Sequence, residues 1–254
     1  MNTEMKINSN TFRILFATCL SAWCLIALST QAATITVTNT NDSGAGSLRQ
    51  AISDAHNGDT INLGVTGTIT LVTGELLVDK SITIHGPGSG NLTVDCNLSS
   101  RGFYVSSGVT ATIAGLTITN GNVQFTDLAS GGGIYNDHAT LTLDSCTISS
   151  SYASWAGGGI YNDGSNGSAT LTVTNSTVTG NWAAAPGSEG IGGGIYNEAG
   201  TLTVSNCTFG GNFAWHELAG GIYNGGTATI GNTIFETTGF GANIVNNGAA
   251  TSNG

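Results

Sequence analysis

Charged side chains are scarce in this sequence. They make up 8% of its 254 residues, and lysine and arginine together number only five. Because proteins bind nucleic acid through clustered lysine and arginine, this composition excludes a nucleic-acid partner. The shortage also disfavours helical repeats, since Glu, Lys and Arg are among the good helix formers. We therefore expect a β-rich chain. The net charge of the whole sequence at pH 7 is −10.

Long apolar segments are absent beyond the first 32 residues. Near the start, Lys6 and Arg13 precede an apolar run at 14–28, and small residues follow up to Ala32. This order is typical of a secretory signal, and the run is short for a membrane span. We expect residues 1–32 to direct export, with a retained membrane anchor as the alternative. The mature chain would then lack a transmembrane segment and be exported.

Cysteines are also few, and the mature chain keeps only Cys96, Cys146 and Cys207. In the alignment of the repeats described next, Cys146 and Cys207 share a column but lie two repeats apart. Two strand spacings amount to about 9.6 Å, which is more than a disulfide can bridge. We therefore expect three packed thiols and no disulfide scaffold.

What the sequence does contain is a repeated phrase, Gly-Gly-Ile-Tyr-Asn. Its four copies end at Asn136, Asn162, Asn197 and Asn224, at spacings of 26, 35 and 27 residues. A second phrase of the Leu-Thr-Val type interleaves with it at 116–118, 141–143, 171–173 and 202–204. Repeats of this length indicate a solenoid, in which each unit buries its apolar face by stacking on its neighbours.

The repeats have the composition of short strands. Thr, Val and Ile dominate between glycines, and apolar residues alternate with small polar ones. In one such stretch the alternation predicts that Leu202, Val204 and Asn206 share a face. With about three strand-length runs per repeat, the chain is expected to form an all-β, single-stranded parallel β-helix. Equivalent residues would stack about 4.8 Å apart on successive coils.

With such stacking, equivalent residues of the repeated phrase would form ladders that run along the solenoid. The isoleucines would form an aliphatic ladder, the tyrosines an aromatic ladder, and the asparagines an amide ladder bonded from coil to coil. The residues concerned are Ile134, Tyr135, Asn136, Ile160, Tyr161, Asn162, Ile195, Tyr196, Asn197, Ile222, Tyr223 and Asn224.

The region before the regular repeats has a different pattern. Ser47 and Gln50 fit a helix capping box, and an apolar helical face that includes Ile52 follows. We expect residues 33–109 to hold a helix that caps irregular first coils. Regular coils would occupy residues 110–254. No capping element follows them, so we expect truncation at the C-terminus, with closure by a partner as the alternative.

With these repeats, the chain resembles secreted right-handed parallel β-helix proteins that carry Gly-Gly-Gly-Ile-Tyr-Asn repeats. It is similar to the polymorphic outer membrane protein repeats of bacterial adhesins, which pair a Gly-Gly-Ala/Gly-Ile element with a Phe-x-x-Asn element. Gly192–Ile195 and Phe209–Asn212 match these elements, and Val178–Asn181 matches with valine for phenylalanine. The resemblance spans nearly all of the mature chain. It implies a right-handed β-helix protein that is secreted or held at a bacterial cell surface or outer membrane.

The sequence offers little for catalysis. A glycoside hydrolase needs two converging carboxylates, yet no two acidic residues here are adjacent or one apart. A polysaccharide lyase needs a basic side chain as proton acceptor, and no Lys or Arg follows Arg101. His138 and His216 have no matched partner in the sequence. We therefore predict no catalytic residues and no cofactor.

One acidic column allows a metal hypothesis. Asp137, Asp163 and Glu198 each follow a ladder asparagine, so their carboxylates would line one edge of the solenoid. Like charges at this spacing repel unless they are solvated or bridged, and Ca²⁺ binds oxygen ligands. We expect solvated turn residues, with a weak Ca²⁺ site as the alternative.

Aromatic residues are concentrated just before the Gly-Gly phrase. Rings presented coil after coil would stack on sugars or on a protein partner; alternatively, they seal the edge of the solenoid. The residues are Trp155, Trp182, Trp215, Phe125 and Phe213.

These patterns predict a non-catalytic β-helix protein, secreted or on the cell surface, with a binding or adhesion surface. Its partners would be glycans or host or cell-envelope proteins. Two alternatives are a polysaccharide-active lyase or hydrolase whose active site lies outside the present chain, and a structural spacer.

Overall fold

The computed structural model describes residues 31–124, 129–184, 190–215, 219–236 and 242–253. In these ranges the chain forms a parallel β-solenoid of the right-handed type with about 7 turns and 4% helix. The predicted all-β solenoid is confirmed at this level. No helix within the described ranges is long and apolar enough to cross a membrane. Residues 1–30 of the predicted signal segment lie outside the described residues.

Three sheets run along the solenoid, each with one strand per coil. Sheet A consists of β1 (Thr34–Val37), β2 (Thr60–Leu63), β5 (Thr83–His85), β8 (Thr110–Ala114), β12 (Thr140–Asp144), β16 (Thr170–Thr174), β20 (Thr201–Ser205), β24 (Thr227–Gly231) and β27 (Ala249–Asn253). Sheet B consists of β3 (Gly67–Thr70), β6 (Leu92–Asp95), β9 (Thr117–Thr119), β13 (Thr147–Ser149), β17 (Thr177–Thr179), β21 (Thr208–Gly210) and β25 (Ile234–Phe235). Sheet C consists of β4 (Leu76–Val78), β7 (Phe103–Val105), β11 (Ile134–Asp137), β15 (Ile160–Asp163), β19 (Ile195–Glu198), β23 (Ile222–Asn224) and β26 (Ile244–Asn246).

The regular coils add a fourth strand that the sequence pattern did not indicate. Between sheets B and C lies sheet D, with two residues per strand. It consists of β10 (Asn122–Val123), β14 (Tyr152–Ala153), β18 (Trp182–Ala183) and β22 (Phe213–Ala214). Strands this short leave too little alternation to be recognised in a sequence.

The inward side chains form one apolar core. In sheet C, isoleucines pair in register and are fully buried: Ile134, Ile160, Ile195 and Ile222. In sheet A, leucines do the same: Leu141, Leu171 and Leu202. Three free thiols are buried as well: Cys96, Cys146 and Cys207. Since burying one such aliphatic side chain stabilises the fold by roughly 1.5–3 kcal/mol, these columns hold each coil in register with the next.

The turn from sheet A to sheet B is a left-handed corner. Asn175, Asn206 and Asn232 occupy it on successive coils with φ of 51°, 54° and 44°, a conformation that asparagine tolerates better than most residues. Alternation stops at this corner, so Asn206 is exposed and Cys207 turns inward. The expectation that Asn206 shares the face of Val204 is therefore wrong.

Asparagine side chains form a ladder inside the solenoid that is buried in its first four members and exposed at the last, Asn246. We call it the inner ladder, and its members are Asn136, Asn162, Asn197, Asn224 and Asn246. The Nδ2 of each of the first four members donates to the Oδ1 of the next coil at 2.6 Å. At its start, Asn136 Oδ1 is buried without a hydrogen-bond partner among the described residues. The preceding coil offers no amide there, because the register partner of Asn136 is Val105.

A second ladder follows the exposed corners, and we call it the outer ladder. Asn232 Nδ2 donates to Asn206 at 2.6 Å, and Asn206 Nδ2 donates to Asn175 at 3.4 Å. The series ends where Asn175 Nδ2 donates to Asp144 Oδ1 at 2.7 Å. The outer ladder thus donates toward earlier coils, opposite to the inner ladder.

The described helix, α1 (Leu48–Asp54), precedes the second strand of sheet A. Ser47 accepts a hydrogen bond from the Gln50 amide at 3.2 Å, as a capping box requires. The Gln50 side chain, however, donates to Asp54 at 2.7 Å instead of returning to Ser47. Leu48, Ala51 and Ile52 of α1 are buried against the core.

Candidate functional site

The glycines of the repeated phrase bring sheet D against the neighbouring coil. Gly192 has φ of 62°, which favours glycine. A Cβ on Gly193 would collide with the carbonyl oxygen of Phe213 on the next coil. Because glycine leaves this space free, β22 lies directly beside the turn, with Ala214 turned inward and Phe213 outward.

Outward residues of sheet D, together with Trp215 just after β22, form an aromatic patch, defined as Tyr152, Trp182, Phe213 and Trp215. The first three pair in register on successive coils. The rings of Trp182 and Phe213 are 4.9 Å apart, and Trp215 meets Phe213 edge-on at 6.1 Å. Trp182 and Trp215 are 49% and 45% exposed. The patch therefore presents aromatic side chains on three successive coils, and ring contacts join Trp182, Phe213 and Trp215.

Not all of the predicted aromatic residues join this patch. Trp155 packs against Tyr161 and Tyr196, with ring centroids at 6.1 and 6.2 Å, and is 42% exposed. Phe125 lies outside the described residues. The predicted strip is therefore divided: Trp182, Trp215 and Phe213 come together, whereas Trp155 covers the tyrosines. Tyr152 was missed, although aligning it with Trp182 would have identified it.

The tyrosines form a stacked column on the outer face of sheet C, next to the aromatic patch. Its members are Tyr104, Tyr135, Tyr161, Tyr196 and Tyr223. Successive ring centroids are 4.9–5.3 Å apart. Ala156 and Ile191 pack over the column, and Tyr135, Tyr161 and Tyr196 are buried. At its first end, the Arg101 guanidinium lies 5.3 Å from the Tyr135 ring and pairs with Glu75 at 2.8 Å. The column thus forms a small second core outside the coil.

The carboxylates predicted to form a column lie in register beside these tyrosines: Asp137, Asp163 and Glu198. The Tyr104 hydroxyl donates to Asp137 and the Tyr135 hydroxyl to Asp163, both at 2.6 Å. Burial, together with the Asp163 carboxylate, raises the pKa of Tyr135. Burial also raises the pKa of Glu198. Asp163 is buried and Asp137 accepts hydrogen bonds from Tyr104 and His138, so these two acids are not simple solvated turn residues.

His138 links the two aspartates to the next loop. Its Nδ1 lies 2.5 Å from Asp137 Oδ1, and its Nε2 contacts the carbonyl oxygen of Ser165. Both partners are acceptors, so satisfying both requires a doubly protonated ring. In agreement, the hydrogen bond to Asp137, followed by that to the Ser165 carbonyl, raises the pKa of His138. The imidazolium therefore stabilises the loop that follows Asp163.

Asp137, His138 and Asp163 bring ligand atoms within 4.8 Å of one another. Their oxygens are already used, however. Asp137 accepts from Tyr104 and His138, and Asp163 accepts from Tyr135 and Ser165. A Ca²⁺ ion takes six to eight oxygen ligands and would have to displace several of these donors. The arrangement present here is therefore that of an ion-paired network.

Comparisons with known proteins give no family for this chain. No family model matches it, and no curated protein matches it. A structure titled "Geobacillus virus E2 - ORF18" is 12% identical with a TM-score of 0.32, covering 99% of this chain and 66% of that chain. The pectate lyase Pel9A is 16% identical with a TM-score of 0.31, covering 90% of this chain and 80% of that chain. The resemblance to adhesin-type repeats thus finds support only in the parallel β-solenoid.

Proposed function

We propose that this protein is an exported, non-catalytic β-solenoid that binds a glycan polymer through its aromatic patch. The observation that carries the proposal is the alignment of Tyr152, Trp182 and Phe213 on three successive coils. A polymer that lies along the solenoid would meet one ring per coil.

The exposure of the patch supports a binding role. The core is filled by aliphatic columns, so the fold does not need tryptophan at the surface. Trp182 and Trp215 nevertheless leave nearly half of their surfaces in water. Contiguous exposed aromatic surface commonly marks a binding site, and flat rings suit the apolar faces of sugars.

The charges near the coils favour binding without catalysis. No lysine or arginine follows Arg101 in the sequence. It is 5% exposed and paired with Glu75, so it is poorly placed to take a proton from a bound sugar. The ion-paired aspartates around His138 likewise do not face each other across an open cleft.

Two further features belong to the proposal. Helix α1, whose apolar face packs on the core beside β1, β2 and β4, caps the first coils against edge pairing. The first 32 residues direct export and place the patch outside the cell, where a cell-envelope glycan or an adhesion partner is accessible.

The test is binding to insoluble and arrayed polysaccharides. Replacing Trp182 and Trp215 by alanine should weaken binding about tenfold or more, because buried aromatic contacts dominate interfaces. Trp155→Phe is the matched control and should bind normally. Retained binding by the double variant would contradict the proposal. Release of soluble sugar from the same polysaccharides would instead support the enzyme alternative.

A further inference from the structure

The outer face of sheet A carries an unusual array of threonines. At one register position each of its nine strands has threonine: Thr34, Thr60, Thr83, Thr112, Thr142, Thr172, Thr203, Thr229 and Thr251. A second column runs beside it on five strands: Thr110, Thr140, Thr170, Thr201 and Thr227. We call the two columns together the threonine face.

The threonine face is a two-dimensional grid. Neighbouring parallel strands lie about 4.8 Å apart, and residues two apart on a strand are about 6.6 Å apart. Threonine is branched at Cβ, so its χ1 is restricted. Leu141, Leu171 and Leu202 lie fully buried beneath the face and fix its strands. Hydroxyl and methyl groups therefore repeat at nearly fixed positions over several coils.

The face is also neutral and open. Strands β8, β16, β20 and β24 have no charged side chain, and β12 has one, Asp144, at its last position. Asp144 is bound there by Thr174 and Asn175 at 2.8 and 2.7 Å. Thr140 and Thr201 are exposed, and Thr142 and Thr172 are half-buried by their neighbours.

This combination narrows the class of ligand. A charged polymer would need opposite charge, and a flexible sugar chain would gain from aromatic rings, which lie instead on sheet D. A neutral, periodic grid of hydroxyls and methyls suits a neutral, periodic solid. Hexagonal ice is such a solid, and its oxygen atoms repeat at a distance close to the strand spacing.

We propose that the threonine face binds the surface of ice. Threonine hydroxyls donate to and accept from lattice water, while the methyl groups sit between ordered waters. The rigid columns matter because binding must already order water at the surface, and a pre-ordered grid adds no cost of ordering side chains. This function is independent of the aromatic patch.

The experiment measures how the purified full chain partitions into slowly growing ice. Thr142→Lys with Thr172→Lys breaks the face at its centre and should lower the partition about tenfold. The matched control is Thr147→Lys with Thr177→Lys, which adds the same charge to sheet B, where the column beside these threonines is interrupted by Asp95, Ser149 and Gly210. It should stay within about twofold of the unmodified protein.

A second pair guards against loss of fold. Thr142→Val with Thr172→Val keeps the β-branched shape and removes only the hydroxyls, and it should lower the partition about threefold. Circular dichroism checks that each variant keeps its sheets. Exclusion of the unmodified protein from ice, equal loss in both lysine pairs, or unchanged partition of the sheet A variants would overturn the proposal. So would binding to crystalline cellulose, without ice binding, that depends on the same threonines.

Discussion

The inner and outer ladders use the same side chain at the same coil spacing in opposite environments. Asn162 in the inner ladder is fully buried and links two other amides at 2.6 Å. Asn206 in the outer ladder is exposed, and its bonds are 2.6 and 3.4 Å long. In water, an amide that loses its neighbour regains hydrogen bonds from solvent; in the core it does not. Burial, and not residue type, decides what each ladder contributes to stability.

The sharpest test of this difference is the isosteric change of asparagine to aspartate. In Asn162→Asp, the Nδ2 donor becomes an oxygen that faces Asn197 Oδ1, and a charge would be buried. We expect a loss of about 3 kcal/mol or more in the free energy of unfolding. Asn206→Asp should change it by less than about 0.5 kcal/mol. Denaturant unfolding of both variants gives the two values, and similar losses would show that burial is not decisive.

The tyrosine column extends the comparison to hydroxyl groups. Tyr135→Phe leaves buried Asp163 without the donor at 2.6 Å, so we expect a loss of about 1–3 kcal/mol. Tyr196→Phe is the control, because the next coil has Gly225 where a carboxylate would stand. It should cost less than about 0.5 kcal/mol. Melting temperatures resolve the pair, since 1 kcal/mol corresponds to roughly 2–4 °C at this size.

Titration of His138 tests an interaction of intermediate exposure. Its pKa is raised from 6.5 in the folded state, so its stabilising contribution is present below pH 6.5 and is lost as the pH rises through the folded-state pKa. The free energy of unfolding of the unmodified protein should therefore fall by on the order of 1 kcal/mol as the pH rises from 6.5 through the folded-state pKa. His138→Asn, which suits the φ of 49°, should lack this loss. If the free energies of unfolding of the two proteins changed in parallel between pH 5 and 9, a stabilising interaction of charged His138 would be ruled out.

Calcium should have the smallest effect. Because the oxygens of Asp137 and Asp163 already accept hydrogen bonds, we expect millimolar Ca²⁺ to change the melting temperature by less than about 1 °C. A larger rise that disappears with Asp137→Asn, Asp163→Asn and Glu198→Gln would show that these acids bind the ion after all.

Much of the fold could be predicted because stacked coils repeat their inward residues. The four copies of the Ile-Tyr-Asn phrase predict a solenoid and place the first four members of the inner ladder from the sequence alone. The outer ladder was not foreseen, since the alternation of strands conceals the left-handed corner at Asn206. The strands of sheet D were not predicted because two residues are too few to show the alternation of apolar and polar side chains that marks a strand.

The site was harder to predict because its contacts cross coils diagonally. A tyrosine donates to a carboxylate that follows the next tyrosine by two positions, as Tyr135 does to Asp163. Ser165, which contacts His138, is a loop residue. Loops differ in length between repeats, so their residues cannot be aligned from one repeat to the next. Trp155 and Trp182 looked equivalent along the chain, yet one covers the tyrosines and the other belongs to the aromatic patch.

The Oδ1 of Asn136, which has no hydrogen-bond partner among the described residues, has a consequence for arrays of different length. A one-way series of amides has a single orphan acceptor, however many members it contains. Each additional coil adds one amide–amide bond, worth on the order of 1 kcal/mol, and aligned bonds strengthen one another. The free-energy cost of the one unpaired acceptor stays the same, so the cost per repeat falls as the series grows. Duplicating a whole repeat should raise stability per repeat, so such arrays are biased toward elongation.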